Sequence, residues 1–121
     1  MEIGVDMIAL DRIRKMEQYY SSSSIIKLLT EKEVQDGRES EDPARYYAEC
    51  MACKEAVFKC LDERMKISFL REIEFDHLKS GKPCVNIYGT VKELFEQKKL
   101  HCINLSISYE QEYVIAFALA Y

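Results

Sequence analysis

Long apolar runs are missing from this chain of 121 residues; the longest, Tyr113–Tyr121, has nine. A helix that crosses a bilayer needs about twenty, so no membrane span is expected. Positive charge is not in excess either. Seventeen Lys and Arg against 21 Asp and Glu leave a formal net charge of −4. That argues against a non-specific nucleic-acid binder, which needs a basic surface. The opening MEIGVDMIALDRIR carries acids and lacks the basic start and apolar core of a secretory signal. Taken with an odd count of five cysteines, this predicts a cytoplasmic protein with reduced thiols. Repeats are absent, and the only biased stretch is Ser21–Ser24.

Partners for the cysteines and histidines are missing as well. A structural zinc site needs four ligands, usually as two closely spaced pairs. Cys50 and Cys53 form one pair, Cys84 and Cys102 stand alone, and His77 and His101 have no ligand spacing to them. A redox Cys-x-x-Cys opens a helix after a strand; this one falls in mid-helix, where buried cysteine behaves as a small hydrophobe. Neither histidine stands beside a nucleophile, so nothing points to a Ser-His-Asp arrangement.

What is present fits one domain over residues 1–121, with a single modest core. Period-two alternation makes residues 2–9 a strand, with Ile3, Val5 and Met7 opposite Gly4, Asp6 and Ile8. A short helix is predicted from Ala9 to Tyr20, and helical pattern resumes at Ile25–Leu29. Thr30-Glu31-Lys32-Glu33 matches a capping box that starts a new helical turn. Asp36–Pro43 reads as a charged loop containing Gly37. A long helix runs from Pro43 to Leu61, with proline in its first turn. Residues 67–75 look extended, Cys84–Tyr88 reads as a strand, and Val91–Leu100 as a short amphipathic helix. Two strands close the chain, Cys102–Tyr109 and Tyr113–Tyr121; the last is apolar on both faces and therefore central. The fold class is α+β: an antiparallel sheet with a long central helix.

On that helix Tyr46, Cys50, Cys53, Val57, Cys60 and Leu61 share one stripe, while Glu55 and Lys59 lie opposite, one turn apart. Lys54 points into the apolar arc, so it must snorkel or find a partner. Asp6 is unusual in a strand. It is either a solvated strand-end residue or a carboxylate aimed into a site, and spacing alone favours the former. Likewise Glu55 and Lys59 make an ordinary i,i+4 pair worth about 0.3–0.5 kcal/mol. Two carboxylates from separate elements, accompanied by lysines, also meet the needs of a magnesium–pyrophosphate site.

The order of three motifs separates these readings. Gly4-Val5-Asp6-Met7 with Arg12-Ile13 comes first, Lys54-Glu55-Ala56-x-x-Lys59 second, and Leu105-Ser106-Ile107-Ser108-Tyr109 third, supported by Leu29-Thr30-x-x-Glu33 and Gly81-Lys82-Pro83. In this order, over essentially the whole chain, the sequence resembles the 4'-phosphopantetheinyl transferases of the short holo-acyl-carrier-protein synthase type. The resemblance implies that fold and transfer of phosphopantetheine from coenzyme A to a serine of an apo acyl carrier protein, with release of 3',5'-ADP. It further implies Asp6 and Glu55 as magnesium ligands, and Glu55 and Lys59 as the catalytic pair. Coenzyme A would be bound by Lys54, Lys59, Gly81, Lys82, Pro83, Ser106, Ser108 and Tyr109. Arg12, with Arg14, would face the acidic helix of the carrier protein. A homotrimer with active sites at subunit interfaces is implied too. The chain departs from the family at Tyr109, where histidine is usual, at Cys50, where arginine is usual, and at Leu61-Asp62-Glu63-Arg64, where a Gly-rich turn is usual. A working transferase and a degenerate paralogue that binds carrier protein or coenzyme A without efficient turnover both stay open; chance matches in an unrelated interaction module are a third reading.

Overall fold

The structure is a computed structural model that describes residues 1–19, 26–61 and 66–121. The predicted break at Ser21–Ser24, Ile25, and the turn through Asp62, Glu63 and Arg64 lie outside the described residues. The elements are β1 (Glu2–Ala9), α1 (Leu10–Tyr19), α2 (Glu31–Glu39), α3 (Pro43–Lys59), a 3-10 helix (Ile67–Glu72), β2 (Ile73–His77), β3 (Pro83–Ile87), α4 (Gly89–Gln97), β4 (Ile103–Glu110) and β5 (Tyr113–Ala120). Two antiparallel sheets form: β1-β5-β4, with β5 central as its two-faced apolarity predicts, and the hairpin β2-β3.

The long helix α3 lies on the inner face of the three-stranded sheet. Asp42 caps it, accepting from the Arg45 amide at 3.2 Å, and Pro43 follows in the first turn. Cys50, Cys53, Val57, Cys60 and Leu61 are buried as the stripe predicts, and no described cysteine is in a disulfide. A second buried row, Ala44, Ala48, Ala52 and Ala56, gives the helix a slim side on which other elements close in. β1 approaches closest at Gly4, where a Cβ would stand 1.8 Å from the Ala56 carbonyl oxygen. Only glycine fits there.

Two expectations are corrected. Residues 36–39 are not loop: α2 runs through Gly37 to Glu39. The Thr30 capping box is fully formed and drives the helix forward. Gly37 serves close packing, since a Cβ would sit 2.1 Å from the Tyr47 ring. Residues 67–72 are not extended either. Leu70 is the one buried residue of this segment, with Ile67 exposed, so the period-two burial of a strand does not form and the short segment closes as a 3-10 helix. Extended backbone begins only at Ile73.

Candidate active site

Asp6 sits on β1 with its side chain 12% exposed. Its inward neighbours Gly4 and Ile8 are buried, so the pleat turns the carboxylate toward α3 rather than toward bulk water. Lys59 donates to Asp6 Oδ1 at 3.1 Å and to the Val5 carbonyl at 3.0 Å. Asp6 Oδ2 is buried without a hydrogen-bond partner. Glu55, one helical turn before Lys59, is half-buried and faces the same carboxylate. Burial first, then the Asp6 charge and a hydrogen bond that protonated Glu55 can give to Asp6, push its pKa up to about 7; Lys59 and Arg12 act in the opposite direction.

These groups border two hollows. One, of about 630 Å³, runs between β1, α3 and the 3-10 helix; Glu55 and Lys59 are its charged lining, and Ile3, Val5, Phe58, Ile67 and Leu70 make apolar walls. The other, of about 160 Å³, has Asp6, Glu55 and Arg12 at its polar side and Met7, Met16 and Met51 among its walls. The structure therefore brings together Asp6, Glu55, Lys59 and Arg12, residues from three separate elements.

The donor set fits a divalent cation of the magnesium type. An orphaned buried carboxylate oxygen on Asp6 and a Glu55 driven toward its neutral form are both relieved by a cation between them. Among the described residues no group of three or more His, Cys, Asp or Glu is placed to hold a metal ion; magnesium commonly takes only one or two carboxylates and keeps water and phosphate oxygens in its shell.

The other predicted residues converge on the far edge of the sheet. The β2–β3 turn, with Gly81 at φ +88°, brings Gly81, Lys82 and Pro83 beside Ser106 and Tyr109 of β4, around a cleft of about 370 Å³ that His77 also lines. Ser108 is exposed on the same strand but lies off that cleft. Tyr109 is held firmly: its hydroxyl donates to Glu49, and the Arg45 guanidinium lies over its ring, 3.9 Å from the centroid. Burial and Glu49 raise its pKa to about 12. Sequence reasoning missed Arg45, Glu49 and His77 here, because only tertiary packing places α3 and the end of β2 beside β4.

Lys54 is fully buried and its Nζ donates to Glu33 Oε1 at 2.5 Å, so its charge is taken up inside the domain and lines neither hollow nor the β4 cleft. The partner that its direction demanded exists. Glu33 was legible as a capping-box residue, and a buried lysine opposite a second helix start was the signal that could have joined the two. Arg14 is partly engaged within the chain, 3.1 Å from Glu112 and 3.7 Å from Asp42, whereas Arg12 is exposed beside Glu55.

Residues 2–118 match the 4'-phosphopantetheinyl transferase superfamily. The chain belongs to this family. A holo-[acyl-carrier-protein] synthase of Dechloromonas aromatica is 35% identical over 118 residues, covering 97% of this chain and 94% of that one. The solved holo-[acyl-carrier-protein] synthase of Neisseria meningitidis superposes with a TM-score of 0.89 at 26% identity, over 99% of this chain and 97% of that one. A holo-(acyl-carrier-protein) synthase of Bacillus anthracis, solved in complex with CoA (3',5'-ADP), superposes with a TM-score of 0.74 at 25% identity, over 98% and 94% of the two chains. The α+β architecture with antiparallel sheets is thus the architecture of this family. No described helix is long and apolar enough to cross a membrane.

Proposed function

We propose that the chain is a holo-acyl-carrier-protein synthase: it moves the 4'-phosphopantetheine of coenzyme A to a serine hydroxyl of an apo acyl carrier protein. The observation that carries the reading is the meeting of Asp6, Glu55 and Lys59 where two hollows adjoin, with Glu55 lining both and Asp6 Oδ2 unpartnered. The serine oxygen bonds to the phosphorus of the phosphopantetheine half as its hydroxyl proton passes to water. The bond from that phosphorus to the bridging oxygen breaks, and 3',5'-ADP leaves. Lys59 is placed to neutralise pyrophosphate charge from the rim of the larger hollow. Asp6 and Glu55 would hold a magnesium ion, which when bound supplies Lewis-acid neutralisation of the phosphate oxygens. Arg12 offers an exposed cation next to the reacting groups, suited to an acidic carrier helix. Arg14 is the weaker candidate, since its charge is shared with Asp42 and Glu112.

The same reading includes a homotrimer. Ile3, Val5, Met7, Tyr113 and Phe117 are large, exposed side chains on the outer face of the three-stranded sheet. Val5 pairs with Phe117 and Met7 with Ile115, so the apolar positions adjoin. A contiguous apolar sheet face marks an interface. The two half-sites give it direction: the Asp6–Glu55–Lys59 group lies at the β1 edge, and the Gly81–Pro83, Ser106 and Tyr109 cleft lies along β4, with β5 and α3 between. A coenzyme held by both is most simply held between two copies.

Intact-mass spectrometry of apo carrier proteins incubated with coenzyme A and magnesium tests the reading. The expected result is a phosphopantetheine mass gain that Glu55→Gln abolishes while its fold persists. Binding of coenzyme A with no gain on any carrier protein, the host's own included, would mean a non-catalytic paralogue instead.

A further inference from the structure

Glu33 and Lys54 are the two buried charged residues among those described, and they face each other. Taking two charges out of water costs about what their attraction returns, and packed apolar side chains fill such a place equally well. Stability alone therefore gives little reason for a charged pair here. Placement does. The Glu33 carboxylate is fixed from two sides: Oε1 accepts the Thr30 amide at the α2 cap at 2.8 Å, and Oε2 accepts the Phe75 amide of β2 at 2.6 Å. Lys54 reaches the same Oε1 from α3. A point on α3 is thereby tied to a spot that α2 and β2 define.

Successive helical residues are 100° apart, so fixing Lys54 fixes the rotation of α3 about its axis. Glu55 is the next residue and Lys59 lies one turn beyond it. The small apolar row Ala44, Ala48, Ala52 and Ala56 has little relief with which to resist turning or sliding. A directional contact supplies what that row lacks.

We propose that Glu33 and Lys54 are positioning residues, whose buried ion pair sets the rotation of α3 that holds Glu55 against Asp6. The proposal rests on the reading of Asp6 and Glu55 as cation ligands. The test follows Mn²⁺ binding by electron paramagnetic resonance with coenzyme A present, alongside steady-state kinetics and thermal melting. Four proteins are compared: the unsubstituted chain, Glu55→Gln, the double variant Glu33→Met/Lys54→Met, and Lys54→Arg. The double variant is expected to melt within a few degrees of the unsubstituted chain. It should bind Mn²⁺ about fivefold more weakly and lose about tenfold or more in kcat, with the carrier-protein KM little changed. A folded double variant that binds Mn²⁺ and turns over normally overturns the proposal. If the double variant does not fold, Lys54→Arg decides: its larger head keeps the charge but displaces α3, so weakened Mn²⁺ binding supports the proposal and normal binding with normal kcat overturns it. Mn²⁺ binding absent from the unsubstituted chain, or unchanged in Glu55→Gln, removes the cation reading itself.

Discussion

Gly4→Ala is a sharp test because two physical arguments give opposite signs for it. By propensity, glycine inside a strand costs roughly 0.5–1 kcal/mol relative to alanine, so the substitution should stabilise. The packing says otherwise. The new methyl would stand 1.8 Å from the Ala56 carbonyl oxygen and 3.2 Å from the Lys59 Cβ. The first neighbour is helix backbone, which cannot rotate aside, so β1 and α3 must part. Overpacking of this kind costs about 1–3 kcal/mol, and for a chain of this size that lowers Tm by about 4–12 °C. The same parting separates Asp6, two residues along β1, from Glu55 and Lys59. A displacement near 1 Å costs about 100-fold in rate. Differential scanning calorimetry and the mass-gain assay read the two effects. A Tm equal to or above that of the unsubstituted chain would refute the packing argument, and an unchanged rate would refute the link between this contact and the site.

Two further outcomes are expected. Phe117→Asp places a charge on the exposed apolar sheet face and should leave a folded monomer with little activity; a trimer by sedimentation velocity, or an active monomer, would count against the interface. Metal-free stability should fall as pH rises from about 4.5 to about 7. Over that window Glu55, with its raised pKa, binds more protons folded than unfolded. Urea midpoints at several pH values in chelator should show a shallower slope for Glu55→Gln, and equal slopes would remove Glu55 as the cause.

The parts of this fold that local pattern controls were readable from residues alone. The capping box at Thr30, the inward cysteines of the long helix and the central place of β5 all follow from spacing. The Asp6, Glu55 and Lys59 set was reached through motif order, since spacing alone preferred a solvated aspartate and an idle helix pair. What local pattern could not supply were contacts between distant residues. Lys54 announced that it needed a partner, but Glu33 lies in another helix, 21 residues away. Tyr109 is fixed by Arg45 and Glu49, brought from α3 only by packing. Residues 36–39 read as part of a loop containing Gly37, because the Tyr47 ring that requires glycine there comes from the next helix. Residues 67–72 look extended in the sequence, yet only Leu70 among them is buried, so no period-two face forms there.

The β1 half-site and the β4 half-site lie on opposite edges of one sheet. In the ring proposed here, each copy gives one edge to one neighbour and the other edge to the next. Two defective chains, one altered at Glu55 and one at Lys82, would then make working sites when mixed, wherever an intact edge meets an intact edge. Dilution below the assembly threshold should cost activity more steeply than it costs protein. Evolution meets the same arrangement in another guise: residues at the two edges answer to one substrate, and so constrain each other's changes, without ever touching within a chain.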